Sequence, residues 1–232
     1  MMKVLGIDTS TPCGSVGLID EDRVLADHLL NIPVTHSERL LSSVEGVLRE
    51  AGYTLGDVDG WALSLGPGSF TGLRIGVSAV KGLAFATGKP VAGVPTLDVL
   101  AFQIAPTPYL ICPVLDARKE EVYTALYRYG DGNFPRPVSP YQTCRPEELV
   151  RQIREKTIFI GDGVKTYGDL LRTHLPSLAV FPISSLHLPY GSTVACIGLD
   201  LLRSGEGLDL ATFTPIYVRP SEAELKWREK SR

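Results

Sequence analysis

The chain has 232 residues, with 23 Lys and Arg against 26 Asp and Glu and a net charge of -3. That balance argues against nucleic-acid binding by the chain alone, which needs a basic face to displace phosphate counterions. Cys13, Cys112, Cys144 and Cys196 lie far apart without a C-x-x-C pair, excluding zinc ribbons and dithiol motifs. No apolar run approaches the roughly 20 residues of a membrane span. With no signal-peptide pattern at the start, a cytoplasmic protein with free thiols is expected.

In chain order, Lys3–Asp8 (KVLGID) reads as a buried strand, and Ser15–Ile19 and Val24–Leu30 follow across turn residues Pro12, Gly14 and Asp20–Asp22. These three predict an antiparallel meander. Ser37–Ala51 is an amphipathic helix with Leu40, Leu41, Val44, Val47, Leu48 and Ala51 at helical spacing, a cap at Thr35 or Ser37 and a stop at Gly52. Then come a strand over Trp61–Leu65, a loop over Gly66–Gly68, a helix over Phe70–Thr87, a strand over Val91–Val94 and a helix over Leu97–Ile104. Ala105–Pro108 reads as a boundary, after which the order restarts. Strands are predicted over Tyr109–Asp116, Glu121–Tyr129 and Pro137–Gln142, followed by helix Pro146–Lys156 and strand Ile158–Ile160. Helices Val164–His174 and Ser192–Arg203 complete the scheme. The expectation is an α/β fold in two halves, 1–105 and 106–217, with a mildly basic tail over 218–232.

Six of the 23 glycines fall between Gly66 and Gly88. The segment Ser64–Arg74 is a Gly-rich turn that opens a helix, where backbone N–H groups and the helix dipole can hold an anion. It lacks the Gly-Lys-Ser/Thr of a P-loop, and Thr71 stands where a dinucleotide fingerprint has its third glycine. Gly72, Gly76 and Ala79 share one face of the helix. Gly72, Gly76 and Gly82 together cost about 3 kcal/mol in helix propensity. A close backbone approach is therefore expected, either to the chain's own sheet or to another chain.

Asp8 ends the first strand and is followed by Thr9, Ser10 and Gly14. Such a hairpin can grip phosphate, with Mg²⁺ held through water, or it is an ordinary Asp/Ser/Thr turn. Asp116 ends the matching strand of the second half, with Ala117, Arg118 and Lys119 where a phosphate hairpin would want glycine. Asp8, Thr9, Ser10, Asp116 and Arg118 are the candidate nucleotide or anion contacts. His28, His36, His174 and His187 form no metal motif, and His36 reads as a surface residue or helix cap. No metal site is expected.

The blocks KVLGIDTSTPCGSVGL, SLGPGSFTGLRIGVSAVKGLAFATGKPVAGVPTLDVLA, VLDARKEEVYTALY, IGDGVKTY and PIYVRPSEAEL together resemble the TsaB (YeaZ) family, essentially from end to end. The resemblance implies two actin-like (ASKHA, ribonuclease H-like) subdomains and a role in bacterial tRNA threonylcarbamoyladenosine (t6A37) biosynthesis. It also implies a catalytic paralogue, TsaD, a P-loop ATPase partner, TsaE, and contact with tRNA only through the complex. TsaD-like proteins carry a His-x-x-x-His metal pair at positions that match Thr96 and Leu100, and neither side chain replaces imidazole as a ligand. A non-catalytic scaffold is therefore expected, with ATP or ADP, if bound, at the TsaD interface.

The family's association helices match Ser37–Ala51 and Phe70–Ala86. On the first, the resemblance assigns Leu40, Leu41, Val44 and Leu48 to the homodimer or TsaD interface. On the second it assigns Phe70, Gly72, Leu73, Gly76, Val77, Ala79, Val80 and Leu83. Gly76→Leu is accordingly expected to weaken dimerisation while sparing the fold. The rival readings are an autonomous ATPase or small-molecule kinase of the actin-like superfamily, motivated by Asp8, Thr9, Ser10 and Asp116, and a metalloprotease, which no ligand cluster supports.

Overall fold

The computed structural model describes residues 1–21, 23–32, 35–132 and 134–219. The first lobe is built from β1 (Lys3–Asp8), β2 (Gly14–Asp20), β3 (Arg23–Leu30), α1 (His36–Ala51), β4 (Gly60–Gly66), α2 (Phe70–Thr87) and β5 (Val91–Pro95). The predicted meander is present. The sheet order is β3-β2-β1-β4-β5, antiparallel through β1 and parallel from β1 to β5. Leu5 and Ile7 of β1 face a core closed by Leu40, Val44 and Leu48 of α1 and Val77 and Val80 of α2. Val4 and Ala62 face the opposite side, as the two-residue period of a strand requires.

Local chemistry sets the helix ends. Glu38 accepts from the Thr35 N–H at 3.1 Å and the Thr35 hydroxyl at 2.6 Å, so Thr35 caps α1. Gly52 and Gly88 end α1 and α2 in the left-handed conformation, at φ 78° and 66°. Ser69 caps α2 by accepting from the Gly72 N–H.

The helix α3 (Thr96–Phe102) leads to the second lobe. This comprises β6 (Leu110–Arg118), β7 (Glu121–Thr124), β8 (Tyr127–Tyr129), β9 (Pro135–Pro137), β10 (Gln142–Cys144), α4 (Pro146–Gln152), β11 (Thr157–Ile160), α5 (Gly163–His174) and β12 (Ala179–Val180). The strand order is β10-β7-β6-β11-β12, with β8 on β6 and β9 on β8.

Three predicted elements are corrected here. Glu121–Tyr129 is two strands, because β7 pairs with β10 while β8 pairs with β9. At the break the Leu126 N–H donates to Ser139 Oγ at 2.8 Å. Pro137–Gln142 is not one strand: Pro137 ends β9, Gln142 opens β10, and 138–141 link them. The predicted helix Pro146–Lys156 stops at Gln152, where Ile153 turns extended and enters the core at 2% exposure.

Packing does not follow the chain division at 105/106 throughout. The last helix, α6 (Gly191–Arg203), returns to the first sheet. There Val194, Ala195 and Leu199 pack with Val4, Ile19, Ala62 and Ala92. Its approach uses glycine on both surfaces: a Cβ on Gly6 would stand 2.2 Å from Gly191 O, and one on Gly17 would stand 2.1 Å from Ser192 N. Leu97, Leu100 and Ala101 of α3 pack instead with Ile111, Leu115 and Tyr127 of the second lobe. The carboxylate of Asp98 on α3 accepts from the hydroxyls of both Tyr127 and Tyr141 at 2.5 Å. Burial raises its pKa despite those two donors. Of the tail assigned to 218–232, only Val218 and Arg219 lie within the described residues. Among the described residues no helix is long and apolar enough to cross a membrane.

Candidate functional site

A cleft of about 1670 Å³ separates the lobes, and a shallower groove of about 490 Å³ runs between α1 and α2. The two cavities share Phe70, Thr71, Arg74 and Ile75.

The first-lobe wall of the cleft comes from the β1–β2 turn and the loop before α2. Asp8 lies beneath it, fully buried. Its carboxylate accepts from the Ser10 N–H at 3.0 Å and the Ser10 hydroxyl at 2.9 Å. Burial pushes the Asp8 carboxyl up to about 6, against the opposing effect of the Ser10 donors. Thr9 is buried too, and its hydroxyl donates to Gly72 O at 2.8 Å. The Ser69 N–H donates to Ser10 O, and a Cβ on Gly68 would stand 2.3 Å from that oxygen. The loop therefore seats on the hairpin that was the candidate phosphate grip. Asp8 and Thr9 do not line the cleft, and the Ser10 amide is already engaged by Asp8.

The second-lobe wall is built around Asp116 and Asp162. The Asp116 N–H donates to Asp162 Oδ1 at 3.1 Å, and burial raises the Asp162 pKa. Arg118, Lys119 and Glu120 carry φ of 62°, 54° and 59°. The backbone thus takes the left-handed form that a Gly-rich turn adopts freely, with side chains in place of glycine. The Arg118 N–H donates to Asp116 Oδ1 at 2.8 Å, and its guanidinium lies 3.7 Å from Asp116 Oδ2. Of the five candidate contacts, Ser10, Asp116 and Arg118 line one cleft. Sequence reasoning missed Asp162, Lys165, Arg172, His187 and Arg219 in the same walls. The signal for Asp162 was the Gly161-Asp-Gly163 triplet after a strand ending in Ile160, where a Cβ on Gly161 would stand 2.4 Å from Val114 O.

His36 is neither a free surface residue nor the cap. Its Nε2–H donates to Thr11 O at 2.8 Å, and its Nδ1 accepts from Arg39 Nη2 at 3.3 Å. Burial lowers its pKa, so the neutral ring that this pairing requires is favoured. Arg39, 8% exposed, also donates to Pro12 O and Leu30 O at 2.8 Å. Together the two side chains tie α1 to the β1–β2 turn and to the end of β3.

The association face assigned by the family resemblance needs a larger correction. Leu40, Val44, Leu48, Leu73, Val77 and Val80 are buried within this chain, none more than 8% exposed. Gly72 and Gly76 face the β1–β2 turn: a Cβ would stand 2.0 Å from Thr9 O at Gly72 and 2.4 Å from Thr9 Oγ1 at Gly76. The glycine face therefore serves close contact with the chain's own sheet. At Gly76 the side chain of a leucine would meet Thr9 of the same chain, so Gly76→Leu is expected to disturb the fold rather than an interface alone. Gly72→Ala is expected to destabilise the chain by about 2 kcal/mol through overpacking against backbone. A urea midpoint equal to that of the parent would refute this. The exposed remainder is Leu41, at 59%, with Phe70, Ile75, Ala79 and Leu83 half-buried and Phe85 at 82%. Gly82 is exposed, with open space around it.

Thr96 and Leu100, at the positions matched to the metal pair, are both fully buried. Among the described residues no group of three His, Cys, Asp or Glu side chains could hold a metal ion.

Residues 33–227 match the family model described as TsaD, tRNA N6-adenosine threonylcarbamoyltransferase. The chain is 31% identical to the tRNA threonylcarbamoyladenosine biosynthesis protein TsaB of Bacillus subtilis, over 100% of both chains. A Pseudomonas aeruginosa crystal structure, described as an uncharacterized protein with similarity to peptidase YeaZ, superposes with a TM-score of 0.80 at 32% identity. It covers 94% of this chain and 100% of that one. Component A of (R)-2-hydroxyglutaryl-CoA dehydratase from Acidaminococcus fermentans superposes at 0.54 with 10% identity, covering 86% and 98%, a likeness of fold alone. The two-lobed α/β architecture is that of the actin-like ASKHA proteins.

Proposed function

Because the chain belongs to the TsaB family of tRNA threonylcarbamoyladenosine biosynthesis proteins, and matches the TsaD transferase model over most of its length, we propose that it is the non-catalytic subunit of the t6A37 modification complex. In this reading it docks a TsaD partner, helps recruit TsaE, and meets tRNA only through the assembly; self-association uses the same surface.

The observation that carries the reading is the α1/α2 groove. Leu41, Phe70, Ile75 and Ala79 leave apolar surface along two helices whose other faces are already packed. A helix-in-groove or helix-on-helix contact fits such a surface. The chemistry at Thr96 and Leu100 supports the non-catalytic part, since neither is a metal ligand. The seated loop over Ser10 counts against the rival ATPase or kinase reading, because it occupies the place where the first phosphate grip would act.

The test is reconstitution with TsaD, TsaE, ATP and tRNA. Leu41→Glu places a charge in the groove at a site 59% exposed in the free chain. It is expected to weaken TsaD binding about 30-fold or more, the scale of an interface hot spot, with an unchanged melting temperature. If t6A forms equally well when the chain is left out, the subunit role is wrong. If Leu41→Glu binds TsaD like the parent, the docking face lies elsewhere.

A further inference from the structure

From α6 to residue 216 the chain runs along the first lobe, and the described residues 204–219 form no helix or strand. The Leu208 N–H donates to Val91 O of β5 and the Ile216 N–H to Leu65 O of β4, both at 2.7 Å. Between them Phe213 enters the first core at 7% exposure, with the Lys81 ammonium 4.6 Å from its ring. Up to residue 216 the segment thus belongs to the first lobe. Three residues later it has changed lobes: Arg219 Nη1 donates to Glu121 Oε2 at 2.6 Å, and Glu121 opens β7. The two side chains are 20% and 33% exposed, so the pair is shielded from salt more than a surface bridge. At the crossing, Tyr217 lies on Phe70 with ring centroids 5.1 Å apart, and its hydroxyl accepts from Arg74 Nε at 3.3 Å. The Arg74 guanidinium sits 3.9 Å from the centre of the Phe70 ring.

We propose that residues 216–219 are a clasp between the lobes, and that closing the clasp presets the end wall of the α1/α2 groove, so that docking in the groove and closure of the clasp favour each other. Phe70 and Arg74 line both cavities. Tyr217 and Arg74 both pack on the Phe70 ring. A partner that buries Phe70 then meets a side chain already ordered and loses less rotamer freedom. Tyr217 is itself held two residues from the Arg219–Glu121 pair, so opening that pair frees the aromatic contact. Reciprocity follows from linkage: an occupied groove favours the closed clasp by the same factor as the closed clasp favours docking. The coupling rests on the docking reading above.

The experiment uses the full chain, with TsaD binding and amide exchange read on the same samples. Arg219→Glu faces Glu121 with a like charge. It is expected to weaken TsaD binding about 5- to 10-fold, within the usual range for coupled sites. It is also expected to speed exchange at the Ile216 amide while leaving Leu208 unchanged. Glu121→Arg combined with Arg219→Glu restores an opposite pair and is expected to return both readouts to within about twofold of the parent. Tyr217→Phe, which keeps the ring and loses the acceptor for Arg74, is expected to fall between. Faster Ile216 exchange with unchanged TsaD affinity would overturn the coupling, and unchanged Ile216 exchange in Arg219→Glu would overturn the clasp. Failure of the parent chain to bind TsaD would overturn the docking reading and the coupling with it. The Ile216 response would still decide the clasp.

Discussion

Gly17→Ala is expected to lower the melting temperature by about 10 °C, taking a cost of about 4 kcal/mol and roughly 2–4 °C per kcal/mol for a chain of this size. The added Cβ would stand 2.1 Å from Ser192 N and 2.6 Å from Gly191 C, so only backbone is available to yield. Moving α6 outward breaks the bonds that hold its first turn. The Gly191 N–H donates to Ser15 Oγ at 2.7 Å, and the Ser192 N–H to Asp27 Oδ2 at 3.0 Å. Overpacking of a close contact costs about 1–3 kcal/mol, and leaving buried groups unpaired costs about 1–3 kcal/mol more. Gly82→Ala is the control of opposite sign. It is exposed in mid-helix with nothing within 4 Å, so it is expected to add about 1 kcal/mol from helix propensity. Thermal melts of the two variants beside the parent check both signs. A Gly17→Ala protein as stable as the parent would mean that α6 does not sit on β1 and β2 as described.

Asp8→Asn is expected to stabilise the chain at pH 8 and to do nothing at pH 3.5. The Asp8 carboxyl has a folded pKa of about 6, raised from 3.8 chiefly by burial. A raised carboxyl pKa means that the fold favours the protonated form. The folded state then gains most below the unfolded pKa, near pH 4. It loses that advantage as pH rises through about 6, and carries the whole cost above it. A shift of this size corresponds to about 3 kcal/mol. An asparagine oxygen still accepts from the Ser10 amide and hydroxyl without a buried charge. Urea midpoints of parent and variant at pH 3.5, 5 and 8 should therefore diverge with rising pH. Parallel curves across that range would mean that Asp8 is not a buried, destabilised carboxylate. Charge kept at such a cost is common at functional sites. Here it lies beneath the β1–β2 turn, out of the cleft itself.

Much of the fold was legible because it is written in local periodicity. The apolar spacing of Leu40, Val44, Val47 and Leu48, the cap at Thr35 and the glycine stops at Gly52 and Gly88 are all properties of neighbouring residues. The α/β class and the family were likewise readable from residues in a row. Second-lobe strands were less so. Glu121–Tyr129 alternates as one strand should, and its division into β7 and β8 depends on two different partners, β10 and β9, far along the chain.

The cleft was legible in one acid, Asp116, and not in Asp8, which lies beneath it, in Asp162, or in the glycines. Asp116 ends its strand in the cleft, as its position after an apolar run implies. The row Gly72, Gly76, Ala79 on one helix face correctly announced a close approach. Nothing in the helix itself distinguishes an approach to Thr9, 63 residues earlier, from an approach to a second chain. The sequence by itself therefore determined the elements, their ends and the family, because these depend on steric and hydrogen-bonding preferences within a few residues. Only the tertiary structure decided which helix faces are spent inside the chain and which remain exposed. It alone placed α6 back on the first sheet and carried residues 216–219 across to Glu121. The reason is physical: burial is a relation between surfaces remote in sequence, and a residue type states only that it can be buried, never against what.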